Sequence, residues 1–185
     1  MDGWWAASYV MLWILVATLC VIVVALARQI GALHLRLGPR GALELDDEGP
    51  SLGSVPEPAQ LTSSDGDFVR VGGAGEAQLL LFVSPACPVC DQVLPAVRAV
   101  SEMSCYVLVD AAPLDTKRML THKRVHAPVI SAEELMREYA IPGTPYAVVL
   151  DGEGVVRAKG TVNNLEQVEG LTETAKRRMG ALQEA

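Results

Sequence analysis

Of the four cysteines in this 185-residue chain, two stand two residues apart within the stretch SPACPVC, residues 84–90. Cys87 and Cys90 come directly after the apolar run QLLLFV, so the first sulfur is expected where a strand gives way to a helix. The N–H groups of a first helical turn lack partners inside the helix, and with the helix dipole they favour thiolate over thiol. Cys87 is therefore expected to be the nucleophile. Cys90, one turn further in, is expected to attack a mixed disulfide formed at Cys87 and so release the partner. Pro88, at the start of the helix, gives up an N–H that would be unpaired anyway.

A structural zinc site is the rival use of such a pair, and it needs four ligands. His122 and His126 form an H-x₃-H pair, but 31 residues separate Cys90 from His122, whereas the usual loop runs about 12–15. Neither a metal nor a cofactor is expected. Cys20 lies inside a long apolar run and Cys105 opens a strand-like run, so each reads as a small apolar residue.

The elements that must position the pair alternate in type. QLLLFV has the length and composition of a strand buried on both faces. Downstream, Val93, Leu94, Val97, Val100 and Met103 recur at helical spacing, with Pro95 expected to kink that helix just beyond the cysteines. Cys105–Asp110 (CYVLVD) reads as a second buried strand. Ser131 with Glu134 three residues on reads as a capping box opening a short helix. PYAVVLD then leads through Gly152–Gly154 into VVRAKG, an antiparallel hairpin. A last helix, capped by Asn163 or Asn164, carries the stripe Leu165, Val168, Leu171, Ala175, Met179 and Leu182. This order implies an α/β fold with a mixed sheet, in which a strand-edge Cys-x-x-Cys is the signature of a thioredoxin-like redox site.

The front of the chain belongs to another solvent. Trp4–Ala27 contains no charged residue, long enough as a helix to cross about 30 Å of hydrocarbon, and Trp4, Trp5, Tyr9 and Trp13 gather where rings sit at headgroup level. A cleaved signal peptide would need a basic start and a shorter apolar run, and this chain has neither. Arg28, Arg36 and Arg40 follow the run and none precedes it, which by charge alone would leave the C-terminal part in the cytoplasm. From Gly41 onward 12 Lys and Arg face 21 Asp and Glu, a net of −9, which disfavours nucleic acid as a partner. Lys117, Arg118, Lys123 and Arg124 form a local basic cluster, read first as a solvated helix face and second as a dock for an acidic partner. The expected organisation is an anchor and juxtamembrane segment at 1–40, a Gly/Pro/Ser-rich linker at 41–58 and a domain at 59–185. The domain opens with a hairpin around Ser63–Asp67.

SPACPVC, Pro95 eight residues after Cys87, and YAIPGTPYAVVLDGEGVVRAKG together resemble the membrane-anchored TlpA/ResA-like thioredoxin-fold family. LGPRGALELDDEGPSLGSVPEP adds a resemblance to its MauD branch, accessory proteins in methylamine dehydrogenase maturation. The resemblance implies that the Thr144–Pro145 bond is cis and lies against the cysteines. Thr144, Pro145, Pro88 and Val89 would then receive a client peptide as a short added strand, with Pro142 and Gly143 shaping the same loop. It also implies a cysteine-rich extracytoplasmic client such as the methylamine dehydrogenase small subunit, a membrane redox partner, and a domain outside the cytoplasm. One departure is that Leu81 stands where cytoplasmic thioredoxin keeps a buried acid, leaving Asp91 or water to take the Cys90 proton. The alternatives are a reductase of the cytochrome c maturation type, a membrane-tethered docking module with idle thiols, and a peroxidase. The last places its cysteine in a Pro-x₃-Thr-x₂-Cys setting that Cys87, only two residues after Pro85, lacks.

Overall fold

A computed structural model describes residues 3–36, 48–122 and 125–183. Residues 37–47, Lys123 and Arg124 lie outside the described residues, as do the side chains of Arg28, Arg36, His122 and Leu182. The first helix, α1 (Gly3–Arg36), runs for 34 residues, and its Gly3–Val24 portion is long and apolar enough to cross a membrane. None of that portion is buried against protein. Tyr9 and Trp13, one turn apart, meet edge to face at 6.2 Å between ring centres.

The α/β body beyond it is built on a five-stranded sheet of order β5-β4-β3-β6-β7. Its strands are β3 (Gln78–Val83), β4 (Ser104–Val109), β5 (Val129–Ser131), β6 (Tyr146–Leu150) and β7 (Val156–Thr161). β3, β4 and β5 run parallel, while β6 and β7 are antiparallel to their neighbours. β3 is central and every residue in it is buried, which is why it carries no alternation. Its side chains divide between two cores. Leu79, Leu81 and Val83 join Val93, Val97, Val107 and the stripe Val168, Leu171 and Ala175. Leu80 and Phe82 join Ile130, Leu135, Met136, Tyr146 and Val148.

Both sheet edges are covered. The hairpin β1 (Ala59–Thr62) and β2 (Phe68–Val71) forms as the sequence suggests, and its Ser64 N–H donates to the Val129 carbonyl of β5 at 2.8 Å. On the other edge the Gly53 N–H donates to the Val156 carbonyl, and the Val156 N–H to the Ser54 carbonyl, each at 2.9 Å. The second half of the expected linker is thus a strap bonded to β7, which shields an exposed strand from intermolecular pairing. The last helix, α6 (Leu165–Gln183), takes Asn164 as its cap: the Gln167 N–H donates to the Asn164 side-chain oxygen at 2.9 Å.

Two local expectations are corrected. Ser131 does not cap the following helix, α5 (Glu133–Glu138); it ends β5, and its hydroxyl donates to the Ala111 carbonyl instead. The helix after the cysteines is two single turns, α2 (Cys90–Val93) and α3 (Ala96–Ala99), separated at Leu94–Pro95. Proline has no N–H to continue the ladder, and Val100 leaves helical geometry at φ −93°, ψ 84°, so Met103 lies outside the helix. The remaining helix, α4 (Pro113–His122), exposes Lys117 and Arg118, the latter 3.0 Å from Asp115 one turn earlier, as a solvated face does.

Candidate functional site

β3 delivers the chain to the edge of the sheet, where Ser84–Val89 turns into α2. The Cys87 N–H donates to the Ser84 carbonyl at 3.1 Å, and the Gln92 N–H to the Val89 carbonyl at 2.9 Å. Pro88 and Val89 form this turn, with Val89 as the residue preceding α2, so the helix begins later than the sequence suggests. Cys87 and Cys90 are joined by a disulfide with their Cα atoms 5.4 Å apart.

The two sulfurs differ in access. Cys90 is 1% exposed and belongs to the core beneath the sheet's helical face, while Cys87 is partly open to solvent. The Cys90 N–H points at the Cys87 sulfur at 3.2 Å. Because α2 is a single turn its dipole is small, so this one donor is the main local source of stabilisation for negative charge on Cys87. The donor that faces Cys87 is thus one N–H rather than the end of a long helix.

Across from the pair, the peptide bond between Thr144 and Pro145 is cis, and the Thr144 carbonyl oxygen lies 3.6 Å from the Cys87 sulfur. Pro145 is buried, whereas Pro142 and Gly143 are exposed beside it. Pro85, Ala86 and Pro88 are exposed on the cysteine side. Residues 57 positions apart in the chain thus meet at one sulfur. A backbone carbonyl just before a cis proline is the kind of group an added peptide strand can pair with.

Leu81 is fully buried in the core that holds Cys90, paired across the sheet with Val107 and Ala147. Among the described residues no acid joins that core, and Asp91, the residue next to Cys90, is on the exposed side of α2. The other thiols stand apart. Cys105 pairs with Leu79 at the opposite end of β3 from the site, so about four strand residues, roughly 13 Å, separate it from Val83. Its S–H lies on the Val100 and Met103 carbonyls at 3.4 and 3.6 Å, and burial raises its pKa. Cys20 lies on α1. Among the described residues no group of His, Cys, Asp and Glu could hold a metal ion.

Comparison with known proteins points the same way. A thioredoxin-like domain family matches residues 65–176. The methylamine utilization protein MauD of Paracoccus versutus is 35% identical over 183 residues, covering 96% of this chain and 92% of the relative. MauD of Methylobacillus flagellatus is 37% identical over 183 residues, covering 95% and 88%. Among solved structures, a thiol:disulfide interchange protein DsbE from Chlorobium tepidum superposes with a TM-score of 0.61 over 71% of this chain and 99% of its own. At 18% identity, that likeness speaks for the fold alone.

Proposed function

The chain belongs to the MauD family of thioredoxin-like proteins, and from that premise we propose that it exchanges disulfides with a protein client through Cys87 and Cys90. The observation that carries this reading is the meeting of a half-open Cys87 sulfur, the Cys90 N–H and the Thr144 carbonyl at one point.

In the oxidising direction a client thiolate attacks the Cys87 sulfur, because Cys90 is closed to it, and Cys90 leaves as thiolate. A second client thiolate then attacks the client sulfur of the mixed disulfide, and Cys87 leaves. The client loses two electrons and the pair gains them, with two protons taken up as the thiolates of the pair are neutralised. In the reducing direction the Cys87 thiolate attacks a client disulfide and Cys90 resolves the mixed species. Leu81 shares the core with Cys90 and offers that thiol no base, so Asp91, the adjacent residue, or a water takes its proton.

The client we propose is a cysteine-rich protein outside the cytoplasm, for which the small subunit of methylamine dehydrogenase is the candidate. α1 serves as a single-pass anchor, and a membrane redox partner resets the pair. The arginines after α1 oppose export of the domain, but long domains translocate largely regardless of such charges. Two measurements test this. A C-terminal reporter active only outside the cytoplasm should be active; silence from it would place the domain inside. Cys87→Ser should abolish maturation of the client's disulfides, and normal maturation would reduce the protein to a tethered docking module. The potential of the pair sets the direction: near about −270 mV it reduces, near about −120 mV it oxidises.

A further inference from the structure

The loop that carries Thr144 is held at both ends by one peptide of the strap. Before the loop, the Ala140 carbonyl accepts the Gly49 N–H at 3.3 Å. After it, the hydroxyl of Tyr146, the residue that follows Pro145, donates to the Glu48 carbonyl at 3.0 Å. The Lys159 ammonium donates to the same carbonyl at 2.7 Å. Tyr146 and Lys159 are both fully buried.

This arrangement is demanding. A buried ammonium is costly unless it is bonded, so Lys159 is an expensive way merely to fill space on β7. Gly49 has φ +69°, and a Cβ there would lie 2.7 Å from the Tyr146 hydroxyl oxygen, so only glycine fits. A few residues on, the Gly53 and Ser54 pairing with Val156 fastens the strap to the sheet. The Gly49 and Glu48 bonds fix where Ala140 and Tyr146 stand relative to each other, and hence where the five residues between them, Ile141–Pro145, can go, while the Lys159 and Val156 bonds hold the strap itself.

We propose that Glu48 and Gly49 form a positioning clasp for client recognition: they hold the Thr144 carbonyl beside Cys87, where the backbone of an incoming peptide pairs. This rests on the thiol-exchange reading above. A peptide uses the loop's backbone, whereas a small disulfide needs only the sulfur. Loosening the clasp therefore slows exchange with a peptide more than exchange with a small disulfide. Losing one hydrogen bond of about 1 kcal/mol from the loop corresponds to about fivefold in that ratio.

The test uses the reduced full-length chain in detergent with two substrates, hydroxyethyl disulfide and a short peptide closed by one disulfide. Gly49→Ala and the milder Tyr146→Phe should lower the peptide-to-small-disulfide rate ratio about fivefold, mainly through a higher KM for the peptide. Leu171→Ala, which loosens the core under α6, should leave the ratio at the wild-type value. An unchanged ratio in folded Tyr146→Phe, or an equal fall in Leu171→Ala, would overturn the clasp. A wild-type chain that exchanges with neither disulfide would instead overturn the redox reading on which the clasp depends.

Discussion

Leu81→Asp restores the acid that cytoplasmic thioredoxin keeps and tests whether the face around Cys90 is truly apolar. Leu81 is fully buried between Val107 and Ala147, in the core that contains Cys90 and Val93. Removing a buried leucine side chain costs about 2–5 kcal/mol, and a carboxyl left without partners adds about 1–3 kcal/mol. The sum, about 3–8 kcal/mol, is comparable with the whole stability of an ordinary domain. It should also depend on pH. Burial raises the carboxyl's folded pKa above its unfolded value of about 3.9, so the unfolded state gains stability by ionising as pH rises. Between those two pKa values, the penalty grows by about 1.4 kcal/mol for each pH unit. Denaturant midpoints measured from pH 4.5 to pH 7.5 should therefore fall with pH in Leu81→Asp relative to Leu81→Asn, which has no charge to lose. Equal midpoints for the two variants throughout, or wild-type stability of Leu81→Asp at neutral pH, would refute the reasoning by showing that the site accepts a carboxylate.

Cys90→Ser should accumulate a mixed disulfide with a peptide thiol at Cys87, whereas Cys87→Ser should accumulate almost none at the buried Cys90; trapping followed by mass spectrometry reads the difference. Asp151 accepts the Val155 and Glu153 N–H groups at 2.9 Å each and pairs with Arg157 at 2.6 Å. Burial works against its charge, but the Val155 N–H, the Arg157 guanidinium and the Glu153 N–H outweigh it and hold the carboxyl below its usual range. Its stabilisation is present above the unfolded carboxylate pKa and lost as pH falls through the lower folded value. Asp151→Ala should thus cost about 1–3 kcal/mol at neutral pH and progressively less under acid, read by denaturation at several pH values. Ala140 sits in the left-handed region at φ 49°, so Ala140→Gly should stabilise the domain by about 0.5–1 kcal/mol, seen as a higher Tm.

The strands on either side of the site, β3 before the cysteines and β6 after Pro145, were legible because burial on both faces leaves an unbroken apolar run, as in QLLLFV and YAVVLD. β5 was not, since three residues, Val129–Ser131, give no periodicity, and Ser131 beside a helix looks like a cap until its hydroxyl is seen on Ala111. The break at Pro95 was visible as a kink, but the early stop at Ala99 depends on backbone angles that the apolar spacing of Val100 and Met103 does not reveal. The strap was hidden for a different reason. Glu48, Gly49, Gly53 and Ser54 hold Tyr146, Ala140 and β7 through their own main-chain groups, and main-chain groups have no sequence signature. Nothing in VVRAKG marks Lys159 as buried, and the Glu48 carbonyl it donates to is 111 positions away. At the site itself, the cysteine spacing pointed to redox chemistry unaided, whereas the cis bond before Pro145 came only from family resemblance.

The most direct measurement is a redox titration of the Cys87–Cys90 pair in the full-length chain, equilibrated in glutathione and in dithiothreitol redox buffers that together span about −120 to −300 mV, then alkylated and weighed. A single two-electron transition between the dithiol and an intramolecular disulfide, absent from Cys87→Ser and Cys90→Ser, is the expected result. A pair that stays in one state across that range would contradict the proposal that these sulfurs exchange with a client.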